Sequence, residues 1–188
     1  MVSTADLLAA VRAAVSAVPD PELRVLTLAE LGILRGVSAG DDGGVVVTIT
    51  PTYLGCPALE VIRADVLAAA RAAGAEAVEV VTALSPPWTT DWVSDSARDK
   101  LTAVGIAPPP ARSSLPLFVL SPGAPDSPQV VDGPPGVGSP HRTRPHRPAC
   151  PRCRSVDTRE LARFGSTACT ALWRCLTCRE PFDHVKEH

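Results

Sequence analysis

Four cysteines near the end of the chain set the tightest limit on what it can fold into. Cys150 and Cys153 form one C-x-x-C pair in "CPRC", Cys175 and Cys178 form another in "CLTC", and 21 residues lie between them. Each pair can present two thiolates from a tight knuckle, and two knuckles complete a tetrahedral four-sulfur site. A block of about 40 residues with few large apolar groups cannot fold on its own core, so a bound ion must supply the missing free energy. Residues 150–188 are therefore expected to form a small C-terminal β zinc ribbon, with "TRELARF" and "TALWRC" as strands. Zinc suits four thiolates, and so does iron as a single ion or a cluster; the spacing leaves that choice open. Cys169, between the pairs, reads as a small buried core residue. His184 and His188 read as surface residues, because four cysteines already fill a tetrahedron.

Upstream, residues 107–149 hold 12 of the 20 prolines in the chain, with many Gly and Ser. Such density blocks helix and internal sheet pairing, so this stretch is expected to be a semi-extended linker, with "LPLFVL" as a candidate edge strand. The linker leaves residues 1–106 as a first domain. There Leu7, Leu8, Val11, Val15 and Val18 recur at helical spacing after Ser3 or Thr4, both good N-caps. "LTLAELG" reads as a short helical turn closed by Gly32. "ILRGVS" and "VVVTITP" flank the hairpin signal "AGDDGG". A helix follows from "CPALEVIRADVLAAARAAG", then a strand in "EAVEVVTAL" and a last helix in "SDSARDKLTAVG" capped by Ser94. The order α-β-β-α-β-α implies an α+β fold with a small mixed three-stranded sheet, whose second and third strands are parallel across a right-handed crossover.

Composition narrows the partners. With 45% hydrophobic residues and a formal charge of -2, no global electrostatic attraction to nucleic acid or anionic membrane is expected. No apolar run is long enough to span a bilayer. The N-terminal stretch reads as an amphipathic helix rather than a signal peptide. A cytoplasmic, reducing location follows as the expectation, in which paired cysteines indicate metal rather than disulfides.

The remaining cysteine, Cys56 in "YLGCPALEV", precedes Pro57, a residue suited to the first helical position. Cys56 is thereby placed at the N-cap, where the positive end of the helix should lower its pKa and free a thiolate. Two readings stay open: a nucleophile or metal ligand, and a small residue tolerated at a tight turn. A thiol nucleophile normally needs a base beside it, yet no histidine occurs before His141. That favours ligation over catalysis. Asp20, Glu22, Thr52, Thr89 and Thr90 are polar neighbours that could share a site with Cys56 or simply cap backbone turns. Trp88 and Trp92 read as core or rim packing.

These motifs carry a family likeness. "DPELRVLTLAELGILRGV", "TPTYLGCPALEVI" and "PPWTTDW" resemble the SufT-like domain of iron-sulfur assembly factors. Joined to "CPRC" and "FGSTACTALWRCLTCREPFDHVK", the whole resembles the PaaD family, one component of the bacterial phenylacetyl-CoA epoxidase system. The resemblance implies an accessory subunit that assists metal or iron-sulfur maturation of a multicomponent monooxygenase in phenylacetate degradation, rather than the epoxidation itself. It implies structural zinc on Cys150, Cys153, Cys175 and Cys178, and transient iron or an iron-sulfur cluster at Cys56 with Asp20, Glu22 and Thr52. The implied partners are the oxygenase or reductase subunits, and a homodimer. The chain has no Glu-x-x-His pair and no Gly-rich dinucleotide loop, as expected of an accessory component. A second function class is a zinc-ribbon nucleic-acid-binding or regulatory protein, suggested by Arg142, Arg144, Arg147, Arg152, Arg154, Arg159 and Arg163. Asp157 and Glu160 interrupt that basic stretch, which favours a solvated segment instead.

Overall fold

The computed structural model describes residues 3–110 and 147–186. The "LPLFVL" segment, Arg142, Arg144 and His188 lie outside these residues. Helix α1 (Thr4–Ser16) starts where expected, with the Ser3 hydroxyl accepting the Asp6 N–H, and buries Val11 and Val15. β1 (Leu34–Ala39) and β2 (Val45–Ile49) pair antiparallel around a turn in which Asp42 accepts the Gly44 N–H. α2 (Leu59–Ala72) crosses over to β3 (Val78–Thr82), which pairs parallel with β2. The strand order β1-β2-β3 places β2 in the centre, and its alternate residues Val45, Val47 and Ile49 are all buried. On α2, Ile62, Val66 and Ala70 recur every four residues and cover that face. α3 (Asp95–Ala103) is capped by Ser94 accepting from Ala97. The α+β reading and the mixed sheet are borne out.

The ribbon contributes β4 (Thr158–Ala162), β5 (Thr170–Cys175) and β6 (Pro181–Val185), all antiparallel in that order. β6 was not read from the sequence. Its leading proline and central Asp183 masked a strand in which Phe182, His184 and Val185 are buried.

The two blocks do not stand apart. Residues 107–110, assigned to the linker, are held: Ala107 bridges His184 in parallel, donating to the Asp183 carbonyl at 2.7 Å and accepting from Val185 at 3.2 Å. Each block also lends residues to the other's core. Cys169 and Val185 join the cluster under the first sheet, while Ala107 joins Cys150, Ala171, Trp173, Cys175 and Phe182 in the ribbon. Both blocks thus belong to one compact unit. His184 is accordingly not a surface residue. It is 7% exposed, sits within hydrogen-bonding distance of the Ala107 carbonyl through Nδ1 and meets Trp173 edge-on at 6.1 Å.

Near the first sheet, a tryptophan-bearing arm is pinned from two sides. The Trp88 indole donates to the Leu31 carbonyl at 2.8 Å, and the Arg35 guanidinium lies 3.5 Å from the Trp92 ring centroid. Gly32, at φ 71°, passes under Trp92 so closely that a methyl group there would overlap Trp92 Cβ and lie 2.9 Å from the Trp92 carbonyl oxygen. Gly32→Ala is expected to cost about 2 kcal/mol or more, from left-handed strain plus overlap. Urea unfolding measures it, and a loss near zero would mean that the arm moves aside freely.

Candidate metal centres

The first centre is built by two matching knuckles. In one, Cys150 leads into a turn closed by the Arg154 N–H donating to the Cys150 carbonyl, with Arg154 at φ 61°. In the other, the Cys178 N–H points at Cys175 Sγ at 3.4 Å and Arg179 takes φ 66°. Left-handed arginines are strained, and each directly follows the second cysteine of its pair, where the knuckle turns. Strand pairing of Thr158 with Cys175 brings the knuckles face to face. A Ser155–Thr177 hydroxyl contact of 2.8 Å ties their outer edges.

The four sulfurs lie within 4.8 Å of one another, with Cys150–Cys178 at 3.7 Å and Cys153–Cys175 at 3.5 Å. An ideal tetrahedron with metal–sulfur bonds of about 2.3 Å has edges of roughly 3.8 Å. The donor set therefore fits a thiophilic ion, with hard cations disfavoured by the all-sulfur ligation. The four cysteines expected to ligate are the four that the fold brings together.

The second group lies in the first block. Asp20, Glu22, Thr52 and Cys56, singled out from the sequence, all line one enclosed cavity of about 20 Å³ beside Trp88. Asp20 is 6% exposed, and its Oδ1 accepts the Glu22 and Leu23 N–H groups at 2.9 and 2.7 Å. Burial outweighs those two donors and raises its pKa.

Cys56 departs from expectation. The helix proper starts at Leu59 with Ala58 as N-cap, and Cys56 enters through a turn in which its carbonyl accepts the Leu59 N–H at 3.2 Å. Its thiol pKa is raised, not lowered. Burial is the main cause, and the charges of Glu22 and Asp20 add to it against the Ala58 and Leu59 N–H groups. The helix end does not prevail, because burial penalises the thiolate and two carboxylates from distant sequence add to that penalty.

Cys169 is a member of the site that its sequence position concealed. It is buried, but in the wall of this same cavity rather than inside the ribbon. Its thiol lies 3.1 Å from Thr167 Oγ1, and burial together with Glu22 pushes its pKa up to about 12. The available signal was arithmetic: with the C-x-x-C pairs removed, Cys56 and Cys169 are the two cysteines left over.

Comparison with known proteins finds family matches over both blocks. The iron-sulfur cluster assembly protein family matches residues 8–83, and the PaaD zinc beta ribbon domain matches residues 135–186. A protein of Escherichia coli (strain K12), provisionally named as one of the subunits of 1,2-phenylacetyl-CoA epoxidase, is 40% identical over 174 residues, 93% of this chain and 89% of its own. This chain belongs to the PaaD family. An Fe-S protein maturation auxiliary factor of Porphyromonas gingivalis (strain ATCC BAA-308 / W83) is 36% identical over 79 residues, 42% of this chain and 74% of its own. Among solved structures, the domain of unknown function DUF59 from Bacillus anthracis is 30% identical and covers 50% of this chain and 91% of its own, with a TM-score of 0.46. Among the described residues, no helix of this PaaD family member is long and apolar enough to cross a membrane.

Two outcomes follow from the geometry. Stripping the ribbon metal with a chelator should remove hydrogen-exchange protection from the ribbon and also from the Val185 and Lys186 amides at the junction, which bond to Ala107 and Cys169. Retained junction protection would show that the ribbon docks without its metal. The second outcome concerns protons. Folding raises the Cys169 proton affinity, so its stabilising share is full below the ordinary thiol value of 9.0 and is lost as pH rises through about 12. Cys169→Ala should therefore flatten the alkaline fall in unfolding free energy across that window, measured at closely spaced pH values; an unchanged slope counts against a proton-locked thiol.

Proposed function

We propose that this chain is an accessory subunit of a phenylacetyl-CoA epoxidase system, assisting metal or iron-sulfur maturation of its partners rather than catalysing epoxidation. The observation that carries the reading is the convergence of Cys56, Asp20, Glu22 and Thr52 on one cavity within the segment that matches the iron-sulfur assembly family. A thiol flanked by carboxylates binds a soft cation well once its proton leaves. A half-buried thiol with few fixed partners also releases that cation readily. Among the described residues, those lining the cavity include no histidine, the base most often paired with a thiol nucleophile. The proposed cargo is iron or an iron-sulfur cluster, and the proposed recipients are the oxygenase or reductase subunits in the cytoplasm.

The ribbon is assigned a resident zinc ion on Cys150, Cys153, Cys175 and Cys178. Zinc supplies folding free energy there and no redox chemistry. The nucleic-acid reading finds less support, since Arg152 lies 3.6 Å from Glu180 and Arg147 lies 4.0 Å from Asp157, mixing signs along the basic stretch.

Metal analysis of anaerobically purified protein tests the assignment. One zinc per chain should vanish in Cys150→Ser, while substoichiometric iron should vanish in Cys56→Ser with zinc retained. Cys56→Ser should also lower epoxidase activity and iron content when co-expressed with the partner subunits. Unchanged iron in both the protein and its partners would sink the transfer role of Cys56.

A further inference from the structure

Cys169 packs in the core cluster, as expected of a small buried residue, and also lines the cavity that holds Cys56. Behaving as a small hydrophobe, a buried thiol seeks apolar neighbours. This one faces Thr167 Oγ1 at 3.1 Å and the Glu22 carboxylate, in a cavity that also holds Cys56 and Asp20. Segments distant in sequence thus direct two thiols, two carboxylates and the Thr52 side chain to one small space. The only basic residue in the lining is Lys186, and its ammonium group is engaged elsewhere, donating to the Arg163 carbonyl at 3.2 Å and lying 4.5 Å from the Phe164 ring centroid. Neither Asp20 nor Glu22 makes an ion pair among the described residues. An acid-rich cavity without a cation from the chain is electrostatically incomplete.

We propose that Cys56, Cys169 and Glu22 form a second metal site, closed across the junction between assembly domain and ribbon, which takes a single thiophilic divalent cation. The inference rests on the transfer reading of Cys56 and deepens it by naming the other thiol and the size of the cargo. Asp20 is the outer partner, because its Oδ1 is already committed to two backbone N–H groups. Two sulfurs and a carboxylate oxygen select ferrous, zinc or cobalt ions over magnesium or calcium. The cavity of about 20 Å³ exceeds the roughly 10–15 Å³ that one water needs, so it has room for one ion.

Only the ribbon sulfurs already stand at metal-binding separation among the described residues. Glu22 already contacts Cys169, so closure of the second site requires rotation of the Cys56 side chain toward them. Binding is a proton exchange without electron transfer: two S–H bonds break, two metal–sulfur bonds form and two protons leave to water. Because Cys169 arrives on the ribbon, the site is complete only in the docked arrangement. Lifting the ribbon would remove one thiolate and loosen the cation for delivery.

Cobalt(II) is the probe. Full-length protein with its ribbon already filled by zinc is titrated anaerobically, and the thiolate-to-cobalt charge-transfer absorption is recorded. Wild type should take one further equivalent. The absorption should fall to about half in Cys56→Ser and in Cys169→Ser, and vanish in the double variant. Glu22→Gln should weaken affinity by about tenfold or more. If Cys169→Ser kept full intensity while Cys56→Ser lost it, Cys169 would be excluded and the transfer role of Cys56 would stand. If wild type took no second equivalent, the second site would fall, while the transfer role of Cys56 would still be decided by the iron content of Cys56→Ser. Alkylation mapped by mass spectrometry on the wild type guards against a misfolded variant: bound cobalt should protect Cys56 and Cys169 together, and an unprotected Cys169 overturns the proposal.

Discussion

Four sulfurs held within 4.8 Å of one another cannot all be charged in a small protein without a cation between them. Their mutual repulsion at such separations exceeds anything that the few apolar residues of the ribbon offer in return. The ion that resolves this conflict fixes the two knuckles, and the knuckles fix the register of β4 against β5 through Thr158 and Cys175. β5 in turn aligns β6, whose end meets Ala107 and delivers Val185 into the core of the first block. The loop before β5 places Cys169 beside Glu22. A metal centre that touches none of the assembly residues thus decides what surrounds Cys56.

That dependence explains why local reasoning reached some features and not others. Periodicity placed α1, α2 and α3, and the alternation in "VVVTI" placed the central strand, because each element buries one face against a single partner. Ser3 and Ser94 were legible as caps because a cap acts within three residues. The four ribbon ligands were legible because knuckle geometry sets their spacing. His184 was not: its partner Ala107 is 77 residues away, and a histidine near the end of a polar-looking segment carries no local mark of burial. The pKa direction of Cys56 was missed for a related reason. The helix end is local, whereas burial, the main cause, is set by the whole fold, and the added charges of Glu22 and Asp20 come from a turn more than thirty residues earlier.

The same cavity differs from the ribbon in how its thiols hold their protons. Thiols whose pKa values are raised stay protonated near neutral pH, so a metal must displace protons to bind. That competition lowers affinity from what a preformed thiolate would give, and keeps it reversible. In the ribbon neighbouring thiols split: the Cys178 N–H holds the Cys175 pKa down to about 6, while Cys178, against the Glu180 N–H, is pushed up to about 12 by burial and the adjoining sulfurs. One chain therefore carries two sulfur environments: four cysteines that converge on one point, and two that share a small cavity with carboxylates.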